Sequence, residues 1–135
     1  MKGIVVCYFG NELIEDDRLA IDVANELKKY FWDKIEFKYC FSPEEITKVR
    51  AKKVIIMDVS PNVDTVVLTN EERIKQRMIT SLHDFDLNFY LKLAKKIGSI
   101  KHVDIILLPT KTKDINAVVE RVKNILEKIY LKEMS

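Results

Sequence analysis

The residues of this chain whose types suit polar chemistry are few and far apart. They are Asp16 and Asp17 shortly after Gly10-Asn11, Asp58 at the end of an apolar run, and His83 beside Asp84 in a polar stretch. These groups can move a proton at a reacting centre. Taken singly, each also has a plainer role. Asp16 and Asp17 suit a helix start, where carboxylates accept orphan N–H groups and complement the dipole. Asp58 can close a turn with Ser60 and Pro61, and His83 can stand exposed in a loop. His102, next to Lys101, reads as a surface residue, Trp32 as packing at a helix end, and Glu44 and Glu45 as solvated capping carboxylates.

Other chemistries lack their residues. Gly10-Asn11 is no dinucleotide fingerprint, since G-x-G-x-x-G is absent and Glu12, Leu13, Ile14 and Glu15 would keep a pyrophosphate away. There is no Walker A loop, G-x-S-x-G elbow or H-E-x-x-H helix. Cys7 and Cys40 each lie in an apolar stretch, where a thiol behaves as a small buried hydrophobe. Without C-x-x-C spacing or a disulfide framework, they point to a reducing compartment.

Composition narrows the class further. The 135 residues are 47% hydrophobic and 33% charged, with 23 Lys and Arg against 21 Asp and Glu. That is the balance of one globular domain spanning residues 1–135, with a core large enough to need no staples. A net charge of +2 without a basic stripe argues against a nucleic-acid partner. The apolar start Ile4-Val5-Val6 is too short for a signal segment or a membrane span, so the expectation is a cytoplasmic protein without membrane insertion.

The elements that must position these residues follow from periodicity. Ile4 to Phe9 reads as a fully buried strand stopped by Gly10-Asn11. Leu19, Val23, Leu27 and Phe31, widened by Ala20 and Ala24, form the stripe of a helix with Asp22, Glu26, Lys28 and Lys29 on its wet side. Lys34 to Cys40 alternates Ile35, Phe37 and Tyr39 with Glu36 and Lys38, as a half-buried strand near a sheet edge does. Ser42-Pro43-Glu44-Glu45 opens a short helix with a capping box.

Lys53 to Asp58 is another buried strand, and Val63 to Leu68 a strand that follows too closely to be parallel to its neighbour. Leu87, Tyr90, Leu91, Ala94 and Ile97 mark a helix ended by Gly98. Val103 to Leu108 is the last strand. Ile115, Val118, Val119, Val122, Ile125, Leu126 and Ile129 line the closing helix. Strands alternating with helices predict a three-layer αβα sandwich: a mostly parallel twisted sheet of about five strands, one antiparallel, with helices on both faces. In such sheets ligands bind beyond the carboxyl ends of the strands, where Gly10 to Asp17, Asp58 and His83 fall.

A strand, Gly10-Asn11, Leu13, then Asp16-Asp17 heading an amphipathic helix resembles the signature of the [NiFe]-hydrogenase maturation endopeptidases. Val54-Ile55-Ile56-Met57-Asp58 resembles their strand ending in Asp. Ser81-Leu82-His83-Asp84 with Leu87 and Leu91 resembles their histidine loop and following helix, and Val103 to Pro109 with the closing helix completes the order. The resemblance covers essentially the whole chain. It implies a peptidase that removes the C-terminal extension of a [NiFe]-hydrogenase large-subunit precursor after nickel insertion. It also implies that Asp17, Asp58 and His83 form the metal-sensing catalytic site. Gly10 would allow the turn, Asn11 would orient it, and Asp16 would cap the helix. No cofactor is implied as permanently bound; the nickel recognised is the precursor's, and zinc or cadmium could substitute.

The chain departs from the family pattern at its glycines. Glu15, Arg18 and Ala20 stand where the pattern carries glycine around the double acid, and Ser60-Pro61-Asn62-Val63-Asp64 does not reproduce its Pro-Gly turn. These differences bear on the substrate groove and on whether activity is redirected. A non-cleaving binding or chaperone module on the same scaffold is the alternative reading, and a purely structural subunit a third.

Overall fold

The computed structural model describes residues 3–10, 18–70, 90–98, 100–112 and 114–135. The chain begins with β1 (Ile4–Phe9), all six of whose residues are buried. Burial on both faces is why this strand is a continuous apolar run rather than an alternating one. Helix α1 (Leu19–Phe31) follows and buries Leu19, Ala20, Val23, Ala24, Leu27 and Phe31. Strand β2 (Glu36–Cys40) and a 3₁₀ turn (Pro43–Lys48) come next. Strand β3 (Ala51–Ser60) and the short β4 (Val67–Thr69) precede helical residues 90–96, here α2. Strand β5 (Ile100–Pro109) and helix α3 (Ile115–Met134) complete the chain.

The five strands lie in the order β2-β1-β3-β5-β4. The β1–β2, β1–β3 and β3–β5 pairs are parallel, and β4 runs antiparallel to β5. One face, carrying Ile4, Val6, Tyr8, Ile55, Met57, Ile106 and Leu108, packs under α1 and α3. The opposite face, carrying Val5, Cys7, Phe9, Val54, Ile56, Ile105 and Leu107, packs under Ile46 of the 3₁₀ turn and Leu91 and Ala94 of α2. The mostly parallel three-layer sheet with one antiparallel strand is therefore as the pattern of the sequence required.

Local signals also hold. Ser42 and Glu45 form the expected capping box, with Glu45 Oε2 accepting from the Ser42 amide at 3.0 Å and from the Phe41 amide. Pro43 takes the first turn, where a missing N–H costs nothing. Gly98 ends α2 in the left-handed region at φ 80°, which only glycine adopts without a Cβ penalty. Asp114 caps α3 by accepting from the Ala117 amide at 3.1 Å.

Four expectations are corrected. Trp32 is 72% exposed rather than packed, because it lies just past the last turn of α1, where the buried stripe has ended at Phe31. Ile97 is 56% exposed and Ile115 43% exposed: Ile97 lies just past the helical residues 90–96, and Ile115 is the first residue of α3. The fourth strand is only Val67–Thr69, and its partner is β5 rather than the preceding strand; residues between Ser60 and Val67 carry the chain outward past β5 before it turns back. Strand β3 extends beyond Lys53–Asp58 at both ends, since parallel pairing with β5 from Ala51 to Ser60 satisfies backbone groups where the side chains are not apolar.

Candidate functional site at the carboxyl ends of the strands

Helix α1 carries the chain from β1 to β2 over one face, while the 3₁₀ turn and α2 lie on the other. The crossovers therefore part between β1 and β3, and in parallel sheets this reversal opens a crevice outside the carboxyl ends of those strands. The last β1–β3 pair is Tyr8↔Met57, so Asp58 is the next residue on β3, just as the chain leaves β1 at Phe9 and Gly10. Asp58 stands opposite Leu107 of β5 and is half-buried. It follows the alternation of Val54 and Ile56 and so belongs to the face covered by α2. Its Oδ1 accepts from the Val59 amide at 2.8 Å, a local bond that fixes one carboxylate oxygen.

Asp16, Asp17, Asn11 and His83 lie outside the described residues, as does Glu15. The elements flanking them are described. Helix α1 begins at Leu19 with Arg18 at its cap and no side-chain cap bond, so Asp17 directly precedes the capping residue in sequence. Helix α2, which follows His83 in the chain, packs Leu91 and Ala94 on the face that includes Asp58 and ends just before the amino end of β5. Among the described residues no three His, Cys, Asp or Glu side chains gather to hold a metal ion, and of the three expected metal-sensing residues only Asp58 is described.

Gly10 is held by an interaction the sequence did not reveal. Its carbonyl accepts a hydrogen bond from the Tyr39 hydroxyl at 2.6 Å. The Tyr39 ring packs against Tyr8 with centroids 5.6 Å apart at 53°, and Lys28 Nζ of α1 donates to the Tyr8 hydroxyl at 2.9 Å. Alternation along β2 places Tyr39 with Ile35 and Phe37 but says nothing of what its hydroxyl reaches.

The remaining polar groups fall elsewhere. His102 is exposed on β5 opposite Lys53, near the amino end of the sheet, as expected of a surface residue. Lys53 Nζ pairs with Asp104 Oδ2 at 2.7 Å at that same end. Cys7 and Cys40 are both free and fully buried. The hydrogen bond of Cys7 to Cys40, together with burial, pushes the Cys7 thiol well above the ordinary range; a thiol kept protonated is no nucleophile. None of the described helices is long and apolar enough to cross a membrane.

No family model and no curated protein sequence matches the chain. Solved structures do. The chain is similar to the hydrogenase-maturating endopeptidase HybD from Escherichia coli, with a TM-score of 0.75 at 16% identity, over 98% of this chain and 94% of that one. An endopeptidase from Escherichia coli solved in solution gives a TM-score of 0.76 at 17% identity, over 100% and 94%. The [NiFe] hydrogenase maturation protease HybD from Thermococcus kodakarensis gives 0.68 at 18% identity, over 96% and 99%. From end to end, the chain has the fold of the hydrogenase maturation endopeptidases, as its resemblance to their signature implied.

Proposed function

We propose that this chain is a peptidase that removes the C-terminal extension of a [NiFe]-hydrogenase large-subunit precursor once nickel has been inserted. The observation that carries the reading is the place of Asp58: a carboxylate at the carboxyl end of β3, at the strand-order reversal, in a chain with the fold of these proteases. Asp17, Asp58 and His83 are the proposed metal-sensing and catalytic set. Two carboxylates and an imidazole suit nickel or zinc while leaving positions for the precursor's own ligands. In this reading the nickel is part of the substrate. Docking it onto the three side chains holds the tail in the crevice, converting a bimolecular encounter into a positioned one.

Cleavage then needs a water and a base. The water oxygen adds to the scissile carbonyl carbon while a carboxylate takes its proton. That proton passes to the departing amide nitrogen as the C–N bond breaks, and the extension leaves as a free peptide. Incubation with a nickel-loaded precursor should lower the mass of the large subunit by the mass of the extension. Asp17→Asn and His83→Ala should each fold normally and leave that mass unchanged; trimming by either variant would sink the residue assignment.

A second reading, a non-cleaving chaperone on this scaffold, is favoured by one observation. Arg18 occupies a glycine place of the pattern and caps α1, within 4.0 Å of Asp22. A bulky, charged residue there narrows what can approach the helix start. A stable complex with the precursor and no loss of mass would favour this reading over the first.

A further inference from the structure

We infer that Cys7 and Cys40 form a two-sulfur site for a soft monovalent cation, Cu⁺, on the sheet face covered by the 3₁₀ turn and α2. The inference stands apart from the peptidase reading and uses none of its residues. Cys7 lies within β1 and Cys40 at the end of β2, and the register sets Cys7 opposite Lys38 and Phe9 opposite Cys40. Both cysteines belong to one apolar cluster with Phe9 and Ile46. Both are free and 0% exposed, so no bulk water competes for an ion held between them. Cys40 Sγ leans back along its strand to within 3.9 Å of the Lys38 carbonyl oxygen, which brings it towards the level of Cys7. There the Cys7 thiol donates to it, and that bond holds Cys40 below the ordinary thiol range against the opposing effect of burial.

Two other uses of such a pair fail on geometry. A disulfide needs Cα atoms within about 7 Å, whereas residues one strand across and two positions along stand roughly 8 Å apart. A metal ion between the sulfurs spans more, since each metal–sulfur arm is about 2.3 Å long. Structural zinc takes four ligands, and among the described residues no third His, Cys, Asp or Glu joins the pair. Thiolates select Cu⁺, and that ion is satisfied by two of them. Binding is ligand exchange without electron transfer: each thiol releases its proton, two Cu–S bonds form, and the resulting bis-thiolate carries one negative charge. Lys38, half-buried opposite Cys7 and on the same side of β2 as Cys40, supplies the compensating charge, while Glu36 and Glu45 oppose it. Because β2 is an edge strand, local opening of that edge lets the ion reach the pair.

The test uses the full chain, reduced and free of oxygen, with Cu⁺ titrated against a chromophoric chelator. The chain should take up one Cu⁺, X-ray absorption should show two sulfur neighbours and no nitrogen or oxygen, and the unfolding midpoint should rise. Cys7→Ala and Cys40→Ala should each lose both the uptake and the rise in midpoint. Lys38→Met, which keeps the stem and removes the charge, should weaken uptake about tenfold, the loss usual when a group beside a metal's ligands is removed. No uptake, a nitrogen or oxygen neighbour, or wild-type affinity in either alanine variant overturns the inference. So does a folded chain whose two thiols close into a disulfide under diamide, because the backbones would then lie nearer than the register sets them. The absorption spectrum is read on the unsubstituted chain, so an alanine variant that fails to fold leaves the test intact.

Discussion

The two faces of the sheet are built differently. Under α1 and α3, long helices of 13 and 20 residues lay regular stripes of Leu, Val and Ala on Val6, Ile55 and Ile106. The other face is covered in its described part by a six-residue 3₁₀ turn and by residues 90–96. Long helices bury side chains along the whole strand length. Asp58 belongs to the second face and is half-buried at its rim. Among the described residues the first face is the more continuously packed, and the second carries a carboxylate, Asp58, at its rim.

Substitutions can break or sharpen this division. The largest effect should come from Asp58→Asn, which keeps an oxygen for the Val59 amide but cannot act as a base or an anionic ligand. Precursor trimming, read by mass spectrometry, should fall about a thousandfold, with the unfolding midpoint nearly unchanged. Full activity would move the site away from this rim. Next, Leu27→Ala on the helical face should cost about 3 kcal/mol in urea unfolding, because the stripe around it cannot collapse into the cavity. Leu91→Ala, equally buried but on α2 against the other face, should cost about 2 kcal/mol. If the order reverses, the second face is the better packed and the contrast fails. Glu45→Ala removes one half of the capping box and should cost about 1 kcal/mol by the same measurement. Smallest, Lys29→Ala breaks an exposed pair with Glu26 at 3.3 Å and should change stability by less than about 0.5 kcal/mol.

Legibility in the sequence followed the same division. The stripe Leu19, Val23, Leu27, Phe31 and its counterpart Val118, Val122, Leu126 announce helices because burial on one side repeats at the helical period. The buried strands announce themselves as unbroken apolar runs, and Glu36 and Lys38 mark β2 as an edge. Periodicity is silent about partners across the chain. It could not say that β4 pairs with β5, since three residues carry too little pattern and the choice is made by where the intervening chain leads. It could not show that Trp32 lies outside the packed stripe, because a residue's type does not reveal whether a neighbouring element covers it. At the site, Asp58 was legible as the polar end of a buried strand. The Tyr39 bond to Gly10 was not, since a hydroxyl carries no trace of its acceptor in sequence.

The strand order also governs how the molecule can be assembled. β4 is synthesised before α2, yet it pairs with β5, and β5 in turn pairs with β3 along ten residues. While the polypeptide is still emerging, β2, β1 and β3 can already associate, whereas β4 must wait for a mate from the last third of the chain. A polypeptide ended before residue 100 would therefore forfeit two strands at once and leave β3 as a long apolar border, the kind of surface that recruits other chains into aggregates. Completion of β5 is the step that seals the sheet.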